Sequence, residues 1–312
     1  TRAVIFTADG DVVAQHQIAL ELFYPENAWV EHDLENIWDT TVQCITKALQ
    51  QAQLAAKDIT AIGISNQRET TCVWQRSSGK PIYPAIVWQD RRTADECDAL
   101  SQNITLQKTI QEKTGLLPDP YFSATKLAWI LNHVEGAREQ ADAGKLAFGT
   151  VDTFLLWRLT GGKVHRTDAT NASRTLMFNI QTQQWDDGLL KLFDIPHNLL
   201  PEVCDSAFDF GSTDASLFGH AIPITAILGD QQAASVGQCC FQPGMIKSTY
   251  GTGCFMMLNT GEEMVQSKHR LLSTVAYRIN KKTTYALEGS IFMAGATVQW
   301  LCDILGLIKD AK

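Results

Sequence analysis

Hydrophobic and polar positions along the chain follow two periods in turn. RAVIF (2–6) and VVAQHQIAL (12–20) are strand-like runs separated by Asp9-Gly10, a dipeptide suited to the positive φ angles of a tight hairpin turn, so the first twenty residues predict a β-hairpin. Trp38, Thr41, Val42, Ile45, Ala48, Leu49 and Ala52 then recur at helical spacing behind Asp33, which predicts an amphipathic helix with Asp33 as its cap. ITAIGIS (59–65) is apolar on both alternations and predicts a strand covered on both faces. Strands follow over 69–75 and 81–88 around Ser77-Ser78-Gly79-Lys80, and a short one over 146–149. Helices are predicted over 93–101, 121–133, 150–159 and 185–193. An apolar strand over 222–228 stops at Gly229, and after Asp230-Gln231-Gln232 the run Ala233, Ala234, Val236, Gly237 resumes like a packed helix. Beyond 238 come strands over 245–250, 254–259, 274–279 and 283–288, turning at Gly251-Thr252-Gly253 and Asn280-Lys281, then a helical pattern from Gly295 that runs to Lys312 without a stop signal. The hairpin-rich beginning therefore recurs, as one architecture used twice.

That alternation, over 312 residues, predicts a mixed α/β chain of two domains, 1–238 and 239–312. A composition of 45% hydrophobic and 19% charged residues is that of a globular protein and excludes a disordered or fibrous class. The net charge of −8, with no window that clusters Lys and Arg, argues against nucleic acid as a partner. Apolar runs are broken by Pro or charge well short of a membrane span, and no leader opens the chain, so a cytoplasmic location is expected. Eight cysteines without C-x-x-C spacing read as reduced packing thiols. The seven histidines make no His-Glu-x-x-His and no Cys/His pair at ligand spacing, so no protein-held metal is expected. The chain opens without Met, directly on a strand, and closes inside a helical pattern, which reads as a piece of a longer protein.

Candidate chemistry sits at the ends of strands. Asp230 follows a strand that stops at Gly229, and two readings stand: a helix cap, since Asp is a preferred N-cap, or a carboxylate presented where open α/β sheets bind ligands. Gly251-Thr252-Gly253 is either an ordinary tight hairpin or one whose backbone approaches a phosphate. There is no Walker-type G-x-x-x-x-G-K-[ST] and no dinucleotide G-x-G-x-x-G. Arg68-Glu69 is a solvated surface pair, or, if the strand has ended, a donor and an acceptor for one polyol. Trp88, Tyr121 and Phe255 each close a strand or open a helix, as core residues or as apolar walls of such a site.

Taken together, GISNQRETT, IVWQDRRT, DPYFSATKLAWIL, DTFLLWRLTGGKVHRTDATNASRTLMFNI, GDQQAASVGQ, STYGTGCFMMLNTG and ALEGSIFMAGATVQWL resemble the FGGY carbohydrate kinase family, and within it the branch that phosphorylates glycerol. The resemblance runs from about residue 2 to the end. It implies an actin/hexokinase-like (ribonuclease H-like) fold of two domains closing over a cleft, ATP and Mg2+ as cofactors, glycerol as substrate, and a homo-oligomer (dimer or tetramer) in the intact protein. By the same resemblance Asp230 is the general base, and Arg68, Glu69, Tyr121 and Gln231 hold glycerol hydroxyls. Trp88 and Phe255 cover its carbon skeleton. Gly251 and Thr252 reach the nucleotide phosphates, and Gly295, Val298 and Gln299 face the nucleotide. A sibling kinase for a ketopentose or an aldonate would share Asp230 and Gly251 to Gly253 but lack the Arg68-Glu69 pair and Trp88. A non-catalytic actin-like nucleotide-binding protein would leave Asp230, Arg68 and Glu69 unexplained.

Two departures from the family pattern stand out. The Asp-x-Gly-Thr-Thr-Ser phosphate hairpin expected before Thr1, and the later half of the second domain, are not in the sequence, so the 312 residues alone are expected to be inactive. Where members of this branch carry a Gly-Gly-Lys-Gly-Gly-Thr-Arg loop for fructose 1,6-bisphosphate, this chain reads DASLFGHAIPI (214–224), with neither the Lys nor the Arg that pairs with phosphate.

Overall fold

Asp9-Gly10 turns the chain as expected: Arg2–Phe6 pairs antiparallel with Val12–Gln17, and Gly10 takes a φ of +91° that a side chain would resist. The hairpin lies on the helix Leu34–Ala52, whose first turn is capped by the Asp33 carboxylate accepting from the Glu35 amide. The computed structural model describes residues 1–251, 253–291 and 293–309.

Ile62–Asn66 and Ile224–Gly229 position the site. They pair in parallel with Leu228 opposite Ser65 and Gly229 opposite Asn66, so both strands end at the same level. The residues just beyond the two strands, Arg68-Glu69 after one and Asp230 after the other, are thereby delivered to one place. The two ends are tied to a common polar cluster at the starts of two helices: Asn66 Nδ2 donates to Asp152 Oδ1 (3.2 Å) and Asn171 Oδ1 (3.0 Å), while the Gly229 amide donates to Thr170 Oγ1 (2.9 Å). Thr170 in turn donates to Asp168, which caps the short helix Ala169–Ala172. Asp152 is fully enclosed, and burial pushes its carboxyl up to about 6 despite the threonine hydroxyls that bond it.

Around these strands the N-terminal body builds its core from Trp74, Phe154, Leu34 and Ala147 on one side and Val73, Phe122, Leu127, Ile130 and Phe148 on the other. Cys72–Gln75 pairs antiparallel with Leu146–Gly149. The helices Ala94–Gln102, Ser123–His133 and Val151–Leu159 lie close to the expected spans.

The C-terminal strands form one antiparallel sheet in the order Ile246–Tyr250, Cys254–Gly261, Lys282–Ile291, Leu272–Ile279. Asn280 and Lys281 both take positive φ (51° and 62°), the geometry of a two-residue hairpin turn. Val275 and Tyr285 pack on Ala169, Ala172, Phe178 and Ile180 of the N-terminal body. Polar ties reinforce the seam: Tyr285 Oη donates to the Ile180 carbonyl (2.7 Å), Ser273 N to the Gly115 carbonyl (2.9 Å), and Arg278 Nε to Asp205 (2.6 Å).

Several elements differ from expectation: the strands expected over 69–75 and 81–88 shorten to Cys72–Gln75 and Ala85–Ile86. The ITAIGIS strand begins only at Ile62, and its Gly63 and Ser65 are exposed: within the strand as formed, that face carries no large apolar side chain to bury. The helix expected from Trp185 starts at Asp187: Gln184–Trp185 pairs with Phe178–Asn179, and the Asp186 carboxylate caps the helix by accepting from the Leu189 amide. The last helix, Gly295–Asp303, stops well before Lys312, with Gly306 at a φ of +61° beyond it; residues 310–312 lie outside the described residues. All eight cysteines are free thiols, and Cys239 is exposed rather than packed.

Candidate active site

Arg68 and Glu69 resolve the difficulty of adjacent strand residues facing opposite ways. Their strand has ended at Asn66, and Glu69 takes a left-handed φ of +62°, which turns the chain so that both side chains go inward. A non-glycine residue pays roughly 1 kcal/mol or more for that conformation. Here the Glu69 carbonyl is held by the hydroxyls of Ser123 (3.0 Å) and Thr71 (3.3 Å). Both side chains are almost wholly enclosed.

Asp230 is the first residue of the helix Asp230–Gly237, with Gly229 at the cap position. Its carboxylate is therefore not the N-cap of that helix, which carries no side-chain cap bond. It accepts from the amide of Gln231 (2.7 Å) and from Gln231 Nε2 (3.1 Å), and lies 3.4 Å from Arg68 Nε. Its side chain is 45% exposed, which leaves the carboxylate open to a ligand.

The remaining expected acceptor residues close on this pair. Arg68 Nη2 donates to Tyr121 Oη (3.3 Å). Tyr121 lies in the turn ahead of Ser123–His133 rather than inside the helix, its amide held by Asp119. The Trp88 ring meets Tyr121 edge-on at 5.7 Å and Phe255, on the four-stranded sheet, at 6.2 Å. Gln231 Oε1 accepts from Lys247 Nζ of the strand Ile246–Tyr250. Arg68, Glu69, Trp88, Tyr121, Asp230, Gln231 and Phe255, from five separate stretches of chain, thus form one contiguous group.

Sequence reasoning missed the residues that hold this group together. Glu288 accepts from both terminal nitrogens of Arg68 (2.6 and 3.0 Å) and from Arg174 Nη2 (2.9 Å). Arg174 Nε donates to Glu69 (2.6 Å), and Gln232 Oε1 accepts from Arg68 Nη1 (3.2 Å). Burial raises the Glu288 carboxyl, but the guanidiniums of Arg174 and Arg68 more than offset it and hold it down to about 2. Glu69 shares the same two cations and moves the other way, since burial outweighs them. Beneath them the buried Lys126 donates to the Tyr121 carbonyl (2.9 Å), and burial lowers its ammonium to about 8. The available signal was a lone charge inside an apolar motif, Glu288 in ALEGSIFMAG and Arg174 in NASRTLMFNI, because a charge in such a place needs a partner.

Of the residues expected to face a nucleotide, Gly251 and Gly295 are exposed and adjacent: the Gly295 amide donates to the Gly251 carbonyl (2.9 Å), so the hairpin tip meets the start of the last helix. Gln299 is exposed and Val298 half-buried on that helix. Thr252 lies outside the described residues. Among the described residues no group of three or more His, Cys, Asp or Glu side chains is arranged to hold a metal ion, and no helix is long and apolar enough to cross a membrane.

Parallel strands that end together, with an antiparallel sheet seated against them, are the frame of a kinase fold of the actin/hexokinase type. The chain belongs to the FGGY family of carbohydrate kinases: the N-terminal domain model of that family matches residues 1–237 and the C-terminal domain model residues 246–312. It is similar to the glycerol kinases of Coxiella burnetii and Ectopseudomonas mendocina, 57% and 61% identical over 312 residues, all of this chain and 62% and 63% of theirs. Among solved structures it is similar to Plasmodium falciparum glycerol kinase with ADP, at 37% identity and a TM-score of 0.92, covering 99% of this chain and 62% of that one. The chain thus spans somewhat under two thirds of the length of these relatives.

Proposed function

We propose that this chain carries the acceptor site of an ATP-dependent glycerol kinase, with Asp230 as the general base. The observation that carries the reading is the half-exposed Asp230 carboxylate set 3.4 Å from Arg68 Nε, beside an enclosed group of polyol-binding type. A primary alcohol is a weak nucleophile at neutral pH, and a fixed carboxylate that accepts its proton as the new P–O bond forms lowers that barrier. Arg68, Glu69, Tyr121 and Gln231 offer donors and acceptors to the hydroxyls, and Trp88 and Phe255 give the carbon skeleton an apolar wall. The Trp88 ring packs edge-on against Tyr121 and Phe255 at 5.7 and 6.2 Å, so the three form one continuous apolar wall. Glycerol is favoured over a longer sugar by the 57–61% identity to glycerol kinases.

The exposed surface where Gly251 meets Gly295 supports a place for the phosphate chain of a nucleotide, because a helix starts there and its first amides favour an anion. ATP bound there, with Mg2+ carried on its phosphates, would supply the phosphoryl group and neutralise its charge. The reading brings with it a cytoplasmic location, where ATP is abundant, and a homo-oligomeric assembly, which size-exclusion chromatography with light scattering reads directly.

The test is ADP release by the longest natural chain that contains these 312 residues, with Mg-ATP and glycerol, xylulose, ribulose or gluconate in turn. Turnover with glycerol, and a loss of about 10²–10⁴-fold in kcat for Asp230→Asn, is the expected outcome. A ketopentose or gluconate used as well as glycerol would move the assignment to a sibling kinase, and no turnover with any acceptor would leave a nucleotide-binding protein.

A further inference from the structure

Glu288 brings a carboxylate from the four-stranded sheet into the acceptor group. It sits on Lys282–Ile291, a strand paired on both sides, with Met257 and Leu272 as its cross-strand neighbours, so its position is fixed by the middle of a sheet. It is fully buried. Its Oε2 takes Arg68 Nη1 at 2.6 Å, and its Oε1 takes Arg68 Nη2 at 3.0 Å, Arg174 Nη2 at 2.9 Å and Ser290 Oγ at 3.2 Å.

This two-pronged pairing fixes the plane of the Arg68 guanidinium. With Nη1 and Nη2 committed to Glu288, Gln232 and Tyr121, the Nε edge faces two carboxylates at a distance: Asp230 Oδ1 at 3.4 Å and Glu69 Oε1 at 3.6 Å. Both separations exceed a charge-assisted hydrogen bond of about 2.7–2.9 Å. A flexible arginine beside a half-exposed aspartate would ordinarily close on it. Such a lock would occupy the oxygens that a substrate hydroxyl needs.

We propose that Glu288 is a positioning residue for the acceptor: by taking the Nη1 and Nη2 fork of Arg68 it keeps that guanidinium off Asp230, and leaves the half-exposed Asp230 carboxylate to a polyol hydroxyl. The proposal rests on the acceptor reading above. It goes beyond that reading by making the seated sheet, through one side chain, a condition of acceptor binding.

The experiment is steady-state kinetics on the longest natural chain, comparing wild type, Glu288→Gln, Arg68→Met, the double variant, and Tyr285→Phe. Glu288→Gln keeps the shape and removes the charge. Its KM for glycerol is expected to rise about tenfold or more, the scale of one lost charge-assisted bond, with KM for ATP unchanged within about twofold. In the Arg68→Met background the same substitution should add nothing, since Glu288 acts only through Arg68. Tyr285→Phe removes a tie between the same strand and the N-terminal body, and should leave KM for glycerol where it was. Glu288→Asp keeps the charge but withdraws it by one methylene. It is expected to give the same split, and replaces Glu288→Gln if that variant does not fold. Equal rises in both KM values, additive effects in the double variant, or a Tyr285→Phe enzyme that behaves like Glu288→Gln would each overturn the proposal. A wild type that prefers another acceptor refutes the glycerol reading alone, and the split is then read on that acceptor; a wild type inactive with all of them overturns both.

Discussion

Gly229→Ala should cripple acceptor binding although the residue touches no acceptor. At a φ of −60° and ψ of 151°, Gly229 occupies backbone space open to any residue, so conformational freedom does not call for glycine there. Space does. A Cβ at that position would lie 2.7 Å from both Cγ and Cδ of Arg68 and 2.9 Å from Gln232 Oε1. Carbon atoms pack at about 3.5–4.0 Å, so the arginine shaft would have to retreat by roughly 1 Å. It has no slack to do so: its head is pinned by Glu288 at 2.6 and 3.0 Å, by Gln232 at 3.2 Å and by Tyr121 at 3.3 Å.

Overpacking of a filled interior costs about 1–3 kcal/mol. If that cost falls on the bound geometry of Arg68, KM for glycerol rises by roughly 5- to 150-fold, at about 1.4 kcal/mol per factor of ten. If part falls on the fold, the melting temperature drops by about 2–4 °C per kcal/mol for a body of this size. Initial rates over a glycerol series at saturating ATP, with a thermal melt on the same preparations, separate the two. An alanine variant with KM for glycerol within twofold of wild type and an unchanged melt would refute the steric reasoning.

Three further outcomes are expected. Gly115→Ala should destabilise the chain by about 3 kcal/mol or more in a urea melt, the upper range for overpacking: its φ is +74°, and a Cβ would stand 2.2 Å from the Ser273 carbonyl oxygen at the seam with the four-stranded sheet. Lys126, with its folded-state value lowered from 10.5 to about 8 by burial, binds fewer protons folded than unfolded between those values, so its contribution to stability grows as pH rises from about 8 to 10.5. Lys126→Met should abolish that rise, worth up to about 3 kcal/mol, when the pH dependence of its urea midpoint is subtracted from that of wild type. Fructose 1,6-bisphosphate should leave activity unchanged through the 214–224 segment, where Asp214 caps the short helix Ala215–Phe218; a dose-dependent inhibition removed by substitutions in that segment would contradict this.

How much of the site was legible depends on the kind of information each part carries. That Asp230 and Arg68 stand at strand ends could be read locally, because an apolar run stops before each. That the two ends lie side by side could not, since the parallel pairing of Ile62–Asn66 with Ile224–Gly229 joins segments far apart in sequence, and nothing in either strand names its partner. The overreading of ITAIGIS has a related cause: Gly63 and Ser65 do not oppose burial, so the pattern cannot report that their face stays open. Glu288 and Arg174 were the hardest to see, because a single charge in sequence reads as solvated until its partner is known.

The balance of charge in the cluster explains why the exposed member is the reactive candidate. Two guanidiniums, Arg68 and Arg174, are shared by two buried carboxylates, Glu69 and Glu288, through contacts of 2.6 to 3.0 Å, while Asp230 receives only the longer approach of Arg68 Nε at 3.4 Å. The buried charges are paired with one another, as low-dielectric surroundings require, and among the described residues Arg174 Nη1 is left without a hydrogen-bond partner. Asp230 accepts only from the amide and side chain of Gln231 (2.7 and 3.1 Å) and keeps further lone pairs that no guanidinium engages at short range; a hydroxyl with a proton to lose is the partner that gains most by meeting them as its charge develops.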